Sequence, residues 1–216
     1  MEVTQAQLDA HWMPFTANRQ FKKDPRMIHE ADGRYYKDAD GRKVFDGLSG
    51  LWTCGLGHNV SKINEAITAQ LSTLDMSPSF QFGHPKSFQL AERITGFSPE
   101  GLNRVFFTCS GSEAVETALK IARAYWRKKK MPSKSKLIGR VKGYHGVNFG
   151  GISVGGIGAN RAIFGETLTV DHLRHTMLES NTFTRGQPEK GADLAEELLE
   201  LIGLHDASNI AAVIVE

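Results

Sequence analysis

The chain has 216 residues, of which 40% are hydrophobic, 23% charged and 9% aromatic, a composition typical of an ordered globular protein. The net charge is only +2 and the charges are dispersed except at Arg127 to Lys130, so neither a nucleic-acid-binding protein nor a membrane-surface protein is expected. No apolar run approaches the length of a membrane span and the N-terminus carries no apolar leader, so we expect a cytoplasmic protein. Cys54 and Cys109 form no CxxC pair, and no metal site is expected.

The first 50 residues predict a small element that contains a β-hairpin. Residues 35–36 and 44–45 flank a turn in which Gly41 can adopt the positive φ that such a turn requires. Residues 1 to about 32 are polar and are predicted to be irregular. The stretch 47–59 holds four glycines and is predicted to be a loop or an exposed strand end.

From residue 63 onward, helical and strand patterns alternate along the chain. Apolar spacing predicts helices over 63–74, 88–97, from 113 to the lysines before residue 132, and 193–201. Short apolar runs predict strands over 104–108, 136–141 and 210–215, and the glycine-rich stretch 143–158 follows the second of them. On the long helix, Glu116 and Lys120 are spaced to pair at i,i+4. This alternation predicts an α/β fold with a largely parallel sheet.

The junction Ser110-Gly111-Ser112 before Glu113 is the sharpest local feature. Unpaired N–H groups at a helix start attract anions, glycine permits close approach and the hydroxyls add donors, so the junction suits a phosphate group. The alternative is a simple capping box between Ser110 and Glu113. A cap and an anion site can coexist, so both interpretations stay open. The junction lacks the Gly-Lys-Ser/Thr ending of a phosphate loop, which disfavours nucleotide hydrolysis.

Three further candidates follow predicted strands. Tyr144 and His145 come after the strand at 136–141, and Glu216 ends the strand at 210–215. Open α/β sheets bind ligands at the carboxyl edge of their strands, where a tyrosine can stack on a planar cofactor and a histidine can donate to a polar group. Taken singly, ordinary packing or a solvated carboxylate explains each of them as well. Arg161 stands where GxGxxG requires its third glycine, which disfavours a dinucleotide-binding oxidoreductase.

Aromatic side chains upstream offer a second candidate surface. Trp52 lies in the glycine-flanked loop, and Phe80 and Phe82 lie in the proline-bounded segment between the first two predicted helices. They would suit an aromatic substrate wall, although aromatic residues of this kind more often belong to a core.

Read together, these motifs resemble the class III pyridoxal-phosphate-dependent aminotransferases. The motifs that carry the resemblance, in chain order, are Leu51-Trp52, Phe82-Gly83-His84-Pro85, Ser110 through Lys120, Tyr144-His145-Gly146 and Val213-Ile214-Val215-Glu216. Within that class, the stretch from Trp12 to Phe21 is similar to the ω-amino acid:pyruvate, or β-alanine:pyruvate, aminotransferases. The resemblance covers the whole chain and implies the fold type I architecture of pyridoxal-phosphate-dependent transferases.

The resemblance also implies a role for each candidate residue. Residues matching the family's pyridoxal 5′-phosphate site are Ser110, Gly111, Ser112, Tyr144, His145 and Glu216, and those matching its amino-substrate pocket are Leu51, Trp52 and Phe82. The implied reaction transfers the amino group of an ω-amino acid such as β-alanine to pyruvate, which gives alanine and a semialdehyde. A homodimer or homotetramer is implied as well.

Two essential family residues have no matching position here: the lysine that forms the Schiff base with the cofactor, and the aspartate that pairs with its ring nitrogen. Lys142 precedes Tyr144 by two residues, but it is better interpreted as a surface lysine. The resemblance therefore implies an N-terminal half, with residues 1–50 in a small domain and 51–216 in a truncated cofactor-binding domain, inactive by itself. The alternative is a non-catalytic cofactor-binding or dimerisation module.

Overall fold

The computed structural model describes residues 3–165 and 168–216. The chain forms two compact units that divide between Glu92 and Arg93. The domain boundary predicted near residue 50 stays a prediction. None of the helices in the described ranges is both long and apolar enough to cross a bilayer.

The first unit contains a three-stranded antiparallel sheet in the order β1-β2-β3. The strands are β1, Ile28–Asp32, β2, Tyr35–Asp38, and β3, Lys43–Phe45. The predicted hairpin is confirmed, because Tyr35 lies opposite Phe45 and Gly41 has a φ of 77°. The prediction that residues 1 to 32 are irregular was wrong. The polar pattern of β1 concealed a strand whose side chains are largely exposed, so apolar alternation was not needed there.

Four helical elements lie in the described part of the first unit: α1, Gln5–Ala10, α2, Asn18–Phe21, α3, Ser49–Trp52, and α4, Ser61–Leu71. A further helix, α5, Pro85–Thr95, crosses the boundary between the units. The helices predicted at 63–74 and 88–97 are confirmed as α4 and α5, shifted by two or three residues toward the N-terminus. The short α1 was not predicted, although Thr4 and Gln7 form a capping box at its start. α3 is a single turn within the predicted loop.

The second unit contains a parallel sheet in the order β5-β4-β6. Its strands are β4, Lys136–Arg140, β5, Val170–Leu173, and β6, Ile210–Val213. β4 and β6 confirm two of the predicted strands, and the parallel arrangement confirms the predicted fold class. β5 was not predicted, since Asp171 and His172 interrupt its apolar pattern.

The helices of the second unit pack around this sheet. They are α6, Gly111–Lys128, α7, Phe149–Val154, α8, Gly158–Arg161, and α9, Glu197–His205. Leu119 of α6, Leu137 of β4, Val154 of α7 and Val170 of β5 form the buried core cluster. The core therefore joins the sheet to the helices that precede and follow β4.

α7 lies unusually close to β4. A Cβ atom added at Gly139 would overlap the carbonyl oxygen of Val154 and lie 3.0 Å from its carbonyl carbon. The glycines of α7 itself are buried, and Gly151 lies against the backbone of His145. This helix was not predicted, because Gly150 and Gly151 disfavour a helix locally, whereas close packing on the sheet requires them.

The strand predicted over 104–108 was wrong. These residues belong to no helix or strand, and no backbone ladder joins them to any other described segment. The side chain of Phe106 is 71% exposed. An apolar run becomes a strand only where a neighbouring strand supplies hydrogen bonds, and sequence pattern alone does not reveal that neighbour.

Candidate functional site

The N-terminus of α6 has a cap and two amides that remain available. The Ser110 hydroxyl accepts the N–H of Glu113 at 3.2 Å, while the Glu113 carboxylate accepts the N–H of Cys109 at 2.9 Å. The predicted cap is thus confirmed, with its return bond displaced by one residue from the usual capping box. Among the hydrogen bonds of the described ranges, the N–H groups of Gly111 and Ser112 have no acceptor. Amides at this position of a helix can bind an anion.

The segment after β4 lies against this helix start. The Ser112 hydroxyl accepts the N–H of Val147 at 3.1 Å. Gly146 has a φ of 94°, and a Cβ atom there would lie 2.6 Å from the Ser112 Oγ. One turn further along α6, Glu116 accepts the N–H of Gly151 at 3.1 Å. The structure therefore brings the two glycine-containing motifs predicted from sequence into direct contact.

The carboxyl ends of β4 and β6 meet at one edge of the parallel sheet, as predicted. The Glu216 carboxylate accepts the backbone N–H of Tyr144 at 2.9 Å. The Arg140 guanidinium donates to the backbone carbonyl of Glu216. The Tyr144 side chain remains 46% exposed. Glu216 thus fixes the backbone that carries a half-exposed aromatic ring.

His145, by contrast, is buried, with 6% of its surface exposed. Burial lowers the pKa of its imidazole; the nearby Glu216 opposes this shift, and Arg140 and His172 reinforce it. The imidazole is therefore neutral at pH 7. Its Nε2 atom is buried and has no hydrogen-bond partner among the described residues. Such an atom is suited to a bound water or another polar group.

The residues predicted to bind the amino substrate lie in the first unit and are exposed. The exposed fractions are 64% for Leu51, 80% for Trp52 and 72% for Phe82. Leu51 and Trp52 belong to α3, where φ is 48° at Ser49, 59° at Gly50, 57° at Leu51 and 66° at Trp52. Left-handed backbone costs an L-residue other than glycine about 1 kcal/mol or more. Surrounding contacts must therefore stabilise this turn.

Asp46 supplies one of these contacts. Its Oδ2 atom accepts the N–H of Gly50 at 2.8 Å and lies 2.8 Å from the Nε2 of His58. Burial by itself raises the pKa of Asp46, but hydrogen bonds from His58, Tyr36 and Gly50 outweigh burial and hold that pKa below its ordinary value. Asp46 is therefore ionised at neutral pH.

Sequence reasoning missed three side chains that organise these regions. Glu116 was expected to pair with Lys120, but its carboxylate binds Gly151 instead. The i,i+4 spacing of Ser112 and Glu116 was a usable signal, because it places both acceptors on one face of α6. Arg140 and Asp46 gave no comparable signal. Lys142 is exposed and its Nζ lies 3.8 Å from the sulfur of Met177, in agreement with its interpretation as a surface lysine.

No group of three or more His, Cys, Asp or Glu side chains within the described ranges is arranged to hold a metal ion. The features available for ligand binding are instead amide donors, hydroxyls and an aromatic ring. These groups suit an anionic, planar ligand.

Known proteins similar to the chain share this architecture. The solved structure of an amine transaminase from an uncultivated Pseudomonas species, in its PLP-bound form, superposes with a TM-score of 0.85 at 37% identity, covering 95% of this chain and 48% of the other. An ω-transaminase from Pseudomonas jessenii in complex with PMP gives a TM-score of 0.89 at 28% identity, with 99% and 48% coverage.

Sequence relatives are closer. The chain is 62% identical to the β-alanine–pyruvate aminotransferase of Pseudomonas aeruginosa over 97% of this chain and 47% of that protein. It is 60% identical to the ω-amino acid–pyruvate aminotransferase of Pseudomonas putida over 99% of this chain and 48% of that protein. The chain thus spans about half the length of these relatives. The profile of the family described as aminotransferase class-III matches residues 16–216, and the chain belongs to that family.

Proposed function

We propose that this chain supplies cofactor- and substrate-binding residues to an aminotransferase that uses pyridoxal 5′-phosphate. The reaction takes an amino group from an ω-amino acid such as β-alanine and gives it to pyruvate, with L-alanine and a semialdehyde as products. Identity of 60% or more to relatives named for these substrates supports the proposal. The observation that carries it is the seating of the Gly146–Val147 backbone on Ser112, beside two available amides at the start of α6.

The phosphate group fits the start of α6. The N–H groups of Gly111 and Ser112 can donate to phosphate oxygens, and the positive end of the helix dipole favours the negative charge. A Cβ atom added at Gly111 would meet no other atom within 4 Å, so there is open space for an anion. Ser110 contributes by capping the helix, which sets the direction of these amides.

The ring of the cofactor fits the half-exposed side chain of Tyr144, which can stack on it. Glu216 fixes the Tyr144 backbone, and Arg140 binds the Glu216 carbonyl, so the ring has a defined support. We assign His145 to the same support, as a neutral, buried imidazole beneath the segment that carries Tyr144.

When bound, pyridoxal phosphate supplies an electron sink for deprotonation at the carbon that bears the amino group. The residues described here bind and orient, and none of them is assigned the proton transfer. Leu51, Trp52 and Phe82 are proposed to form the apolar wall that receives the amino substrate. A homodimer or homotetramer in the cytoplasm is part of the same proposal.

The protein expressed from its entire natural reading frame should form alanine from β-alanine and pyruvate. The double variant Gly111→Val, Ser112→Ala should bind pyridoxal phosphate about 10-fold to 100-fold more weakly, because the valine side chain would occupy the space proposed for the phosphate and the Ser112 hydroxyl that holds the Val147 N–H would be lost. A Cβ atom at Gly111 meets no other atom within 4 Å, so we expect the variant to fold. Equilibrium dialysis with the cofactor and an alanine assay measure both effects.

Ser61→Ala is the matched control, because Ser61 also begins a helix but lies in the first unit. Unchanged cofactor affinity in the double variant would refute the assignment of the phosphate site. Cofactor binding without alanine formation by the wild-type protein would favour the alternative of a non-catalytic module.

Replacing Tyr144 by alanine should weaken cofactor binding about 3-fold to 10-fold and shift the visible absorption band, because ring stacking contributes about 0.5–1.5 kcal/mol. Tyr144→Phe keeps the aromatic face and should keep both properties. Absorption spectra recorded during cofactor titration measure the change. A Tyr144→Ala variant with the wild-type spectrum and affinity would contradict stacking.

A further inference from the structure

A buried carboxylate lies beneath the turn that displays Leu51 and Trp52. The side chain of Asp46 is only 7% exposed and that of His58 13% exposed. Asp46 Oδ2 lies 2.8 Å from both Gly50 N and His58 Nε2. Neither residue belongs to the proposed cofactor site or to the residues proposed to meet the substrate.

The turn needs stabilisation because its backbone is unfavourable for three of its four residues. Ser49, Leu51 and Trp52 all have positive φ, a conformation that only glycine adopts without steric cost. The N–H of Trp52 closes the turn on the carbonyl of Leu48 at 2.9 Å. Asp46 binds the Gly50 N–H within this turn. A charged acceptor binds such a donor more strongly than a neutral one does.

His58 and Tyr36 connect this carboxylate to the sheet of the first unit. His58 exchanges two backbone hydrogen bonds with Gly33, at 3.2 Å and 2.7 Å. The rings of Tyr36 and His58 lie 4.6 Å apart, and Tyr36 is part of β2. Asp46 itself directly follows β3. The Asp46 carboxylate therefore connects the turn to the end of β3 and, through His58, to β2 and Gly33.

We propose that Asp46 is a positioning residue that locks the left-handed turn Ser49–Trp52 and so sets the orientation in which Leu51 and Trp52 meet the amino substrate. Because this role rests on the proposed function, it adds a specificity determinant to the same reaction. Strained backbone held by a buried polar network is a recurring feature of binding sites, where it fixes side chains before a ligand arrives.

Hydrogen exchange tests the positioning step without any activity measurement. In the protein expressed from its entire natural reading frame, Asp46→Ala should speed exchange in a peptide covering residues 47–57 by about 10-fold or more, the factor expected for losing a hydrogen bond to a charged acceptor. Asp46→Asn keeps an oxygen that can accept the Gly50 N–H and should give a smaller increase. The Asp46→Asn variant also provides the test if the Asp46→Ala variant does not fold. Exchange within β4 should not change in either variant.

Steady-state kinetics then test the consequence for the substrate. In cofactor-loaded enzyme, Asp46→Asn should raise the KM for β-alanine about 5-fold to 10-fold and leave kcat per bound cofactor within about 2-fold, the pattern of lost substrate binding. A general loss of folding would instead lower the amount of cofactor bound. Asp75→Asn is the control, since Asp75 is an exposed carboxylate of the same unit. It should leave exchange, KM and kcat unchanged.

The two measurements separate this inference from the function on which it rests. Unchanged exchange at 47–57 in both Asp46 variants overturns the positioning role, whatever the enzyme does. If the wild-type protein transaminates and the Asp46 variants exchange faster but keep the wild-type KM, the link to the substrate is overturned and the proposed function stays intact. A wild-type protein without transaminase activity overturns the proposed function, while the exchange data still decide whether Asp46 locks the turn.

Discussion

Replacing Gly146 by alanine is expected to weaken the binding of pyridoxal phosphate about 100-fold or more, since it displaces the ring support and the phosphate site together. The new Cβ would lie 2.6 Å from the Oγ and 2.7 Å from the Cα of Ser112, distances that the backbone cannot accept without moving. The φ of 94° at Gly146 adds strain to this overlap. Cofactor titration followed by absorbance measures the loss.

The variant Gly186→Ala separates the effect of steric overlap from the effect of backbone strain. Gly186 also has positive φ, at 77°, but a Cβ there meets no atom within 4 Å. It should therefore destabilise the protein by about 1 kcal/mol through backbone strain and leave cofactor affinity unchanged. If Gly146→Ala bound the cofactor like the wild type, the contact with Ser112 would have no part in cofactor binding.

Replacing Gly139 by alanine should lower the free energy of unfolding by about 3 kcal/mol or more. The added methyl group would overlap the Val154 carbonyl and lie 3.2 Å from the ring of His172, so α7 would have to move away from β4. Val154 belongs to the core cluster, and this movement would open the core. Urea denaturation monitored by circular dichroism measures the change.

The variant Gly203→Ala is a control that should change the free energy of unfolding in the opposite direction. Gly203 lies within α9, where a Cβ meets no atom within 4 Å. Alanine there should stabilise the protein by about 0.5–1 kcal/mol, because it has the higher helix propensity. A Gly139→Ala variant within about 1 kcal/mol of the wild type would show that α7 can move away from β4 at little cost.

The parallel sheet and the long helix could be predicted because their signals are local. β4 and β6 are short apolar runs, and α6 combines an amphipathic face with a cap at Ser110. β5 and α7 could not be predicted, since each depends on its neighbours. β5 forms on the edge of β4 despite its polar residues, and α7 tolerates glycines because only they allow close packing.

The part of the candidate site that follows from strand direction could also be predicted. Because the carboxyl ends of parallel strands share an edge, the strand pattern predicts that Tyr144 and Glu216 lie together, and they do. The bond between Ser112 and Val147 joins residues 35 positions apart, and no periodicity encodes it. Likewise, neither the left-handed turn at Ser49–Trp52 nor the carboxylate beneath it leaves a pattern in the sequence, since positive φ at Leu51 and Trp52 contradicts local preference.

Three side chains distant in sequence capture backbone amides of one eight-residue segment: Glu216 binds Tyr144, Ser112 binds Val147 and Glu116 binds Gly151. Because these bonds grip the main chain, they do not depend on which side chain occupies an outward position such as Val147, which is 44% exposed. We therefore expect other side chains to be tolerated at position 147, whereas substitution of Ser112 or Glu116 would remove a hydrogen bond to the segment. The main chain of this segment therefore stays anchored when such an outward side chain is replaced.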